Sequence, residues 1–150
     1  IVAAWRKFNL TTGWKPDDFV AARAAWPHVL AFTKHLYDAG VPLSAGTDMG
    51  NPFTVPGASF HRELQLLSAA GIPNLDVLRI ATRGGARSLG IESDVGHVAR
   101  GAIADLVLLE ADPVADIGNT RRIALVMQQG KAATPAQWLP ARLRARGIAP

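Results

Sequence analysis

Cysteine is absent from this 150-residue chain, which excludes disulfides and thiolate-held metals together. Long apolar runs are missing too: none approaches the ~18–20 residues that a membrane-spanning helix needs. The opening residues, Ile1 to Phe8, do not follow the charged, apolar, small-residue order of a signal peptide. One-sided charge is scarce, with 16 Lys and Arg against 12 Asp and Glu for a net +4. Part of that excess sits in the tail at Arg142, Arg144 and Arg146, so solvated surface is the expected role and a nucleic-acid partner is the minor reading. What remains is 49% hydrophobic and 19% charged, the balance of one globular unit able to bury a core. The chain begins with Ile1 where a start Met would stand, and a processed or truncated product is expected.

The stretch around which the chain is organised is Val41-Pro42-Leu43-Ser44-Ala45-Gly46-Thr47-Asp48-Met49-Gly50. A short apolar run that ends in one carboxylate reads as a buried strand delivering an acid to the mouth of a site. Turns also favour Asp for local reasons, so the motif alone leaves both readings open.

Upstream, Pro16, Asp17 and Asp18 predict a helix start capped by Asp17, with Asp18 in the first turn. Phe19, Val20 and Ala24 follow the helical period until Pro27, which is expected to open a second helix. Val29, Phe32, Leu36 and Ala39 continue it, and Gly40 stops it. A helix passing straight into the strand at Val41 to Ala45 is an αβ connection. The following loop is dense in Gly and Pro, the kind of strand-end loop where α/β proteins carry chemistry.

Ser59 opens the next predicted helix, with Phe60, Leu64 and Leu67 on one face and Gly71 at its end. Asn74 is expected to cap a further helix, closed by Gly90. Gly84-Gly85 falls inside it, so either the helix bends there or another backbone packs close. From Val95 the texture changes. Ile103 to Leu109 and Ile123 to Met127 read as strands between turns at Asp112-Pro113 and Gly118-Asn119, and Gln128 to Lys131 reads as a strand end with a turn. The tail from Pro135 reads as a short basic helix, with Trp138, Leu139 and Leu143 as anchors. Helices come first, then a small β-rich module. Trp5, Phe8 and Trp14 each need a surface to cover them.

These stretches in this order resemble the C-terminal part of the metal-dependent amidohydrolase superfamily, in its imidazolonepropionase-like and Xaa-Pro dipeptidase-like branch. The likeness rests on Ala39-Gly40-Val41-Pro42 with Gly46-Thr47-Asp48, then on Phe60 to Leu64 and Ala70-Gly71. It continues through Leu78 to Thr82, Ala86 to Gly90, Gly96 to Gly101, Ala104 to Leu108, Asp112-Pro113 and Val126 to Gly130. The resemblance implies an α/β fold class: the C-terminal part of a (β/α)8 barrel plus part of a small β-sandwich. Residues 1–92 would be barrel, with its eighth strand at about 41–46; 93–133 would belong to the sandwich, and 134–150 would be a basic tail.

Asp48 matches the family's strand-8 aspartate, which ligates or neighbours the metal and acts as general base. That role implies a hydrolase of C–N bonds in cyclic amides, other non-peptide amides or dipeptides, with Asp48 both catalytic and at the metal. The implied cofactor is a divalent ion, zinc before others, in the full-length protein. The family's other ligands include a His-x-His pair, which this chain lacks, so inactivity in isolation is expected. The expected partners are a small-molecule substrate and no nucleic acid or membrane, with the full-length protein open to homo-oligomerisation. Compartment stays open.

His61, early in the helix after the Asp48 loop, is the one further site residue, as a substrate contact; an ordinary packing role for it carries more weight. Glu63 reads as a helix-dipole carboxylate. His28 and His35 share a helix face two turns apart, too far for one ion, and are expected at the surface. His97 is expected to be structural among sandwich strands. Asp105, inside an apolar strand, is expected to bond nearby backbone, because a buried lone carboxylate is costly. Arg79, Arg83 and Arg87 form a basic stripe, expected to be solvated or ion-paired. Two rivals stand beside the hydrolase: a non-catalytic α/β binding module and a basic nucleic-acid binder.

Overall fold

A computed structural model describes residues 11, 13–51 and 54–138. Trp5, Phe8, Leu139, Leu143 and the tail arginines lie outside the described residues. Helix α1 runs Pro16–Asp38. Its start differs from expectation: Lys15 occupies the N-cap position, and the Lys15 N–H donates to Asp18 Oδ2 at 2.7 Å. The acid that reaches back is therefore Asp18 rather than Asp17, because a third-position carboxylate can meet the cap N–H. Pro27 does not begin a second helix; it lies inside an unbroken one. It is exposed, so water can hydrate the carbonyl that a proline leaves unpaired one turn earlier. The C-terminus closes as expected, with Gly40 N–H on Tyr37 O and Val41 N–H on Leu36 O.

Helix α2 spans Ala58–Ala69. Ser59 Oγ accepts the N–H of Val55 at 2.7 Å, tying the preceding loop to the helix start. Glu63 is the sixth residue of α2, beyond the first turn where a dipole argument applies. Next come α3 (Asn74–Arg79), one π-helical turn (Ile80–Gly84) and α4 (Gly85–Ser88), a continuous helical stretch. Asn74 does not cap its own helix. Its side chain accepts from Ser68 Oγ and donates to Val114 O, joining α2 to the chain beyond β1.

Of the two readings of Gly84-Gly85, the close approach of another backbone is the one observed. The helix widens into the π turn at Gly84, and a Cβ added there would stand 2.5 Å from the Leu43 carbonyl oxygen. Only a glycine lets the segment that ends in Asp48 lie that close to the helix.

Strand β1 (Leu106–Leu109) pairs antiparallel with β2 (Ile123–Gln128), which pairs antiparallel with β3 (Lys131–Ala133). The β2–β3 turn has φ of 48° at Gln129 and 79° at Gly130, the paired positive values that fit a tight hairpin's twist. Asp105 Oδ1 accepts the Gln129 N–H at 2.7 Å and Ala104 O accepts from Gly130, so Asp105 bonds turn backbone as expected. The strand itself is shorter than expected, starting at Leu106. A 3-10 turn, Ile117–Arg121, joins β1 to β2. Helix α5 (Pro135–Trp138) follows, and Trp138 Nε1 donates to Val126 O.

The core lies between α2, α3, the π turn and the 3-10 turn, where Leu64, Ile72, Val77, Ile80 and Ile117 are buried. Leu43 and Ala45 pack against it. The expected strand at Val41–Ala45 is corrected here: it pairs with no strand among the described residues. A ladder needs a neighbour about 4.8 Å away. Its burial nevertheless alternates, with Leu43, Ala45 and Thr47 partly covered and Pro42, Ser44, Gly46 and Asp48 exposed. That two-residue period is a strand's, one face on the helices and the other open.

Candidate active site

Asp48 sits where this alternation ends. Its φ of 46° lies in the left-handed region, which Asp tolerates better than most residues, and Gly50 follows at 123°. The resulting turn is closed from one side by Asn51. Asn51 Nδ2 donates to Asp48 Oδ2 at 2.6 Å and to the Asp48 carbonyl at 3.2 Å, and the Asn51 backbone N–H meets the same carbonyl at 3.3 Å. Thr54 Oγ1 in turn donates to Asn51 O at 2.6 Å. Among the described residues Asp48 Oδ1 accepts no hydrogen bond. The carboxylate is exposed, with one oxygen held and the other open.

Asn51, the hydrogen-bond partner of Asp48, is a residue that the sequence reading does not single out. The available signal was an Asp and an Asn three apart in a Gly- and Pro-rich turn, a spacing at which Asx side chains bond their neighbours.

His61 is elsewhere. Its Nδ1 lies 3.0 Å from Thr120 Oγ1, joining α2 to the 3-10 turn. Thr120 Oγ1 already donates to Ile117 O at 2.8 Å, so it accepts the Nδ1–H of His61. His61 lines a cleft of about 810 Å³ between the helices and the sheet, together with Phe60, Leu78, His97, Leu106 and Thr120; Asp48 is not part of that cleft. The structure ties His61 to Thr120 at the wall of that cleft, and no hydrogen bond among the described residues joins it to Asp48.

Burial and the nearby Arg121 charge both hold the His61 imidazole below its ordinary pKa. Protonation keeps the Nδ1–H, so the bond to Thr120 survives and the loss is one of hydration and charge. The folded state therefore binds fewer protons than the unfolded chain below the ordinary imidazole value of about 6.5. Stability that is whole above that value is lost as pH falls from it toward the lower folded pKa. Urea unfolding of the full-length protein at pH values on either side of that window should show this loss, and His61→Gln should flatten it.

The remaining titratable groups keep to structure. His28 and His35 are exposed on α1. His97 precedes the sheet in a loop, not on a strand, with Nδ1 3.2 Å from Val95 O. Arg79 donates to Asp76 Oδ1 at 2.7 Å, and Tyr37 Oη donates to Asp76 Oδ2 at 2.8 Å, fastening α1 to α3. Those two bonds, Arg79 first, hold the Asp76 carboxyl below its usual range, and the one from Tyr37 raises the phenol. Arg79, Arg83 and Arg87 are exposed along a shallow cleft beside Pro42 and Leu43, the solvated and ion-paired stripe expected. Among the described residues no three His, Asp or Glu side chains stand close enough to hold a metal ion. No described helix is long and apolar enough to cross a membrane.

Helices packed on a segment of strand period, with an acid at its end, make an α/β arrangement of the kind that carries chemistry on strand-end loops. The family model for the amidohydrolase family matches residues 21–133. The chain belongs to the amidohydrolase family. It is 34% identical over 115 residues to an imidazolonepropionase of Mycolicibacterium smegmatis, covering 73% of this chain and 26% of that protein. It is 36% identical over 94 residues to a 5'-deoxyadenosine deaminase of Methanothermobacter thermautotrophicus, covering 58% and 19%. Among solved structures, a Xaa-Pro dipeptidase with methionine in its active site superposes with a TM-score of 0.64 at 25% identity, over 72% of this chain and 26% of that one. The chain thus spans about a quarter of the length of the first relative. The fold shared with these neighbours is seen here as helices and a small antiparallel sheet.

Proposed function

We propose that this chain is the C-terminal part of a metal-dependent hydrolase of C–N bonds, acting on non-peptide amides, cyclic amides or dipeptides, with Asp48 as its general base. The observation that carries the reading is Asp48 itself, exposed at the end of a segment with strand alternation inside the region matched to the family. Residues 1–92 then belong to a (β/α)8 barrel with its eighth strand at about 41–46, and 93–133 to a β-sandwich, with 134–150 as a basic tail. The open face of Val41–Ala45 supports this, because a barrel strand is covered on both faces.

The chemistry assigned to this chain is proton transfer. Asp48 accepts a proton from the attacking water as its oxygen bonds to the substrate carbon, then delivers that proton to the leaving nitrogen as the C–N bond breaks. Zinc is the proposed cofactor of the full-length protein. The described residues do not by themselves fit a metal: one carboxylate is not a donor set. Asp48 would contribute one oxygen beside ligands from sequence outside this chain.

Full-length protein assayed on a panel of imidazolone propionate, Xaa-Pro dipeptides and 5'-deoxyadenosine tests the reading. Hydrolysis of at least one is expected, abolished by a chelator and restored by zinc. Hydrolysis that a chelator leaves untouched, or an upstream reading frame with no His-x-His strand, would remove the metal from the proposal.

A further inference from the structure

We propose that Asn51 is a positioning residue for Asp48, holding one carboxylate oxygen so that the other is the one offered to the transferred proton. This rests on the reading of Asp48 as general base. Both hydrogens of Asn51 Nδ2 are committed to a single residue, one to Oδ2 at 2.6 Å and one to the carbonyl at 3.2 Å. A carboxylate has two equivalent oxygens and a broad terminal torsion, so an exposed one has no fixed orientation of its own. The Asn51 bond removes that freedom and leaves Oδ1 as the open acceptor. An amide suits this task because its nitrogen only donates and carries no charge, so it never competes for the proton.

Asn51 is itself held. Its backbone N–H meets Asp48 O at 3.3 Å, its carbonyl accepts from Thr54 Oγ1 at 2.6 Å and Thr54 N–H at 3.2 Å, and Val55 is bound to Ser59 at the start of α2. A chain of hydrogen bonds thus runs from a helix to the carboxylate. Catalytic groups need such support, since misplacing a proton acceptor costs rate without unfolding anything. Asn51 as a plain turn former is the competing role, and it predicts an effect on stability alone.

The experiment uses full-length, zinc-loaded protein and the panel substrate with the highest kcat/KM. Asn51→Ala is expected to lower kcat about 10–100-fold, with KM and zinc content within about twofold of the parent. Asn51→Gln, which keeps the NH2 group, should recover part of that loss. Asn51→Asp, nearly the same size but with a second negative charge facing Asp48, should lose at least as much as Ala, and serves as the reading if Asn51→Ala misfolds. In an Asp48→Asn background, Asn51→Ala should change kcat no further, because the residue it acts through is gone. The proposal is overturned if kcat for Asn51→Ala stays within about twofold of the parent, if only KM rises, or if the loss is equal in both backgrounds. Failure of the general-base reading shows separately, as retained kcat in Asp48→Asn alone.

Discussion

The Asp48→Asn enzyme is expected to keep its fold and lose about 10²–10⁴-fold in kcat, the usual worth of a positioned general base. The substitution is nearly isosteric, and Asn accepts a φ of 46° as readily as Asp. The amide oxygen can still receive the Asn51 Nδ2–H, so the turn has no reason to open. What disappears is the capacity to take a proton. A base acts in the transition state, so kcat and kcat/KM should fall together while KM holds. Zinc content separates the two roles given to Asp48. Loss of activity with metal retained marks the proton acceptor; loss of both marks the ligand. Full-length protein with Asp48→Asn and kcat within tenfold of the parent would refute the base reading.

Gly96→Ala is expected to produce a large loss of stability. The Gly96 backbone has φ of 84°, and an added Cβ would stand 2.8 Å from Ala86 Cβ, 2.9 Å from Thr82 O and 3.1 Å from Arg83 Cα. Two of those three atoms are backbone and the third is a methyl on the helix, so no flexible side chain can swing aside. The left-handed conformation alone costs an alanine about 1–2 kcal/mol, and forced overlap in a packed region about 1–3 kcal/mol more. Together they predict about 2–5 kcal/mol. Gly101→Ala is the control: its φ is 91° with nothing within 4 Å, so it should carry only the smaller conformational share. Urea midpoints of the two full-length variants should differ in that order. Equal midpoints would mean that the loop before β1 does not press on the π turn.

The helix stops were legible from glycine alone: the strongest local punctuation signals an exposed C-terminus whatever packs around it. The turn at Gln129-Gly130 was legible for the same reason, whereas the third strand that makes it a hairpin was not. Helix starts are less legible. Asp17 and Asn74 both carry good capping chemistry, yet Asp18 serves the first helix and Asn74 is drawn off to Ser68 and Val114. Propensity gives what a side chain can bond, and the third dimension decides which partner is in reach. Pro27 shows the same limit in the other direction, since a proline inside an exposed helix is tolerated once both flanks hold.

At the site the division is sharper. The pattern of apolar residues ending in Gly-Thr-Asp was enough to single out Asp48, and its order among the other stretches was enough to suggest the family to which the chain belongs. Sequence could not show that Asn51 reaches back to hold Oδ2, or that His61 turns to Thr120, because both depend on where a side chain meets a partner. The chain by itself therefore singles out Asp48 as the candidate, the stretch that carries it and the succession of helices and sheet, all of which follow from local pattern. Only the tertiary structure decided which side chain meets that acid and which partner His61 takes: the Leu43 carbonyl against Gly84 sets the path of the segment, and the turn beyond it brings Asn51 within 2.6 Å of the carboxylate.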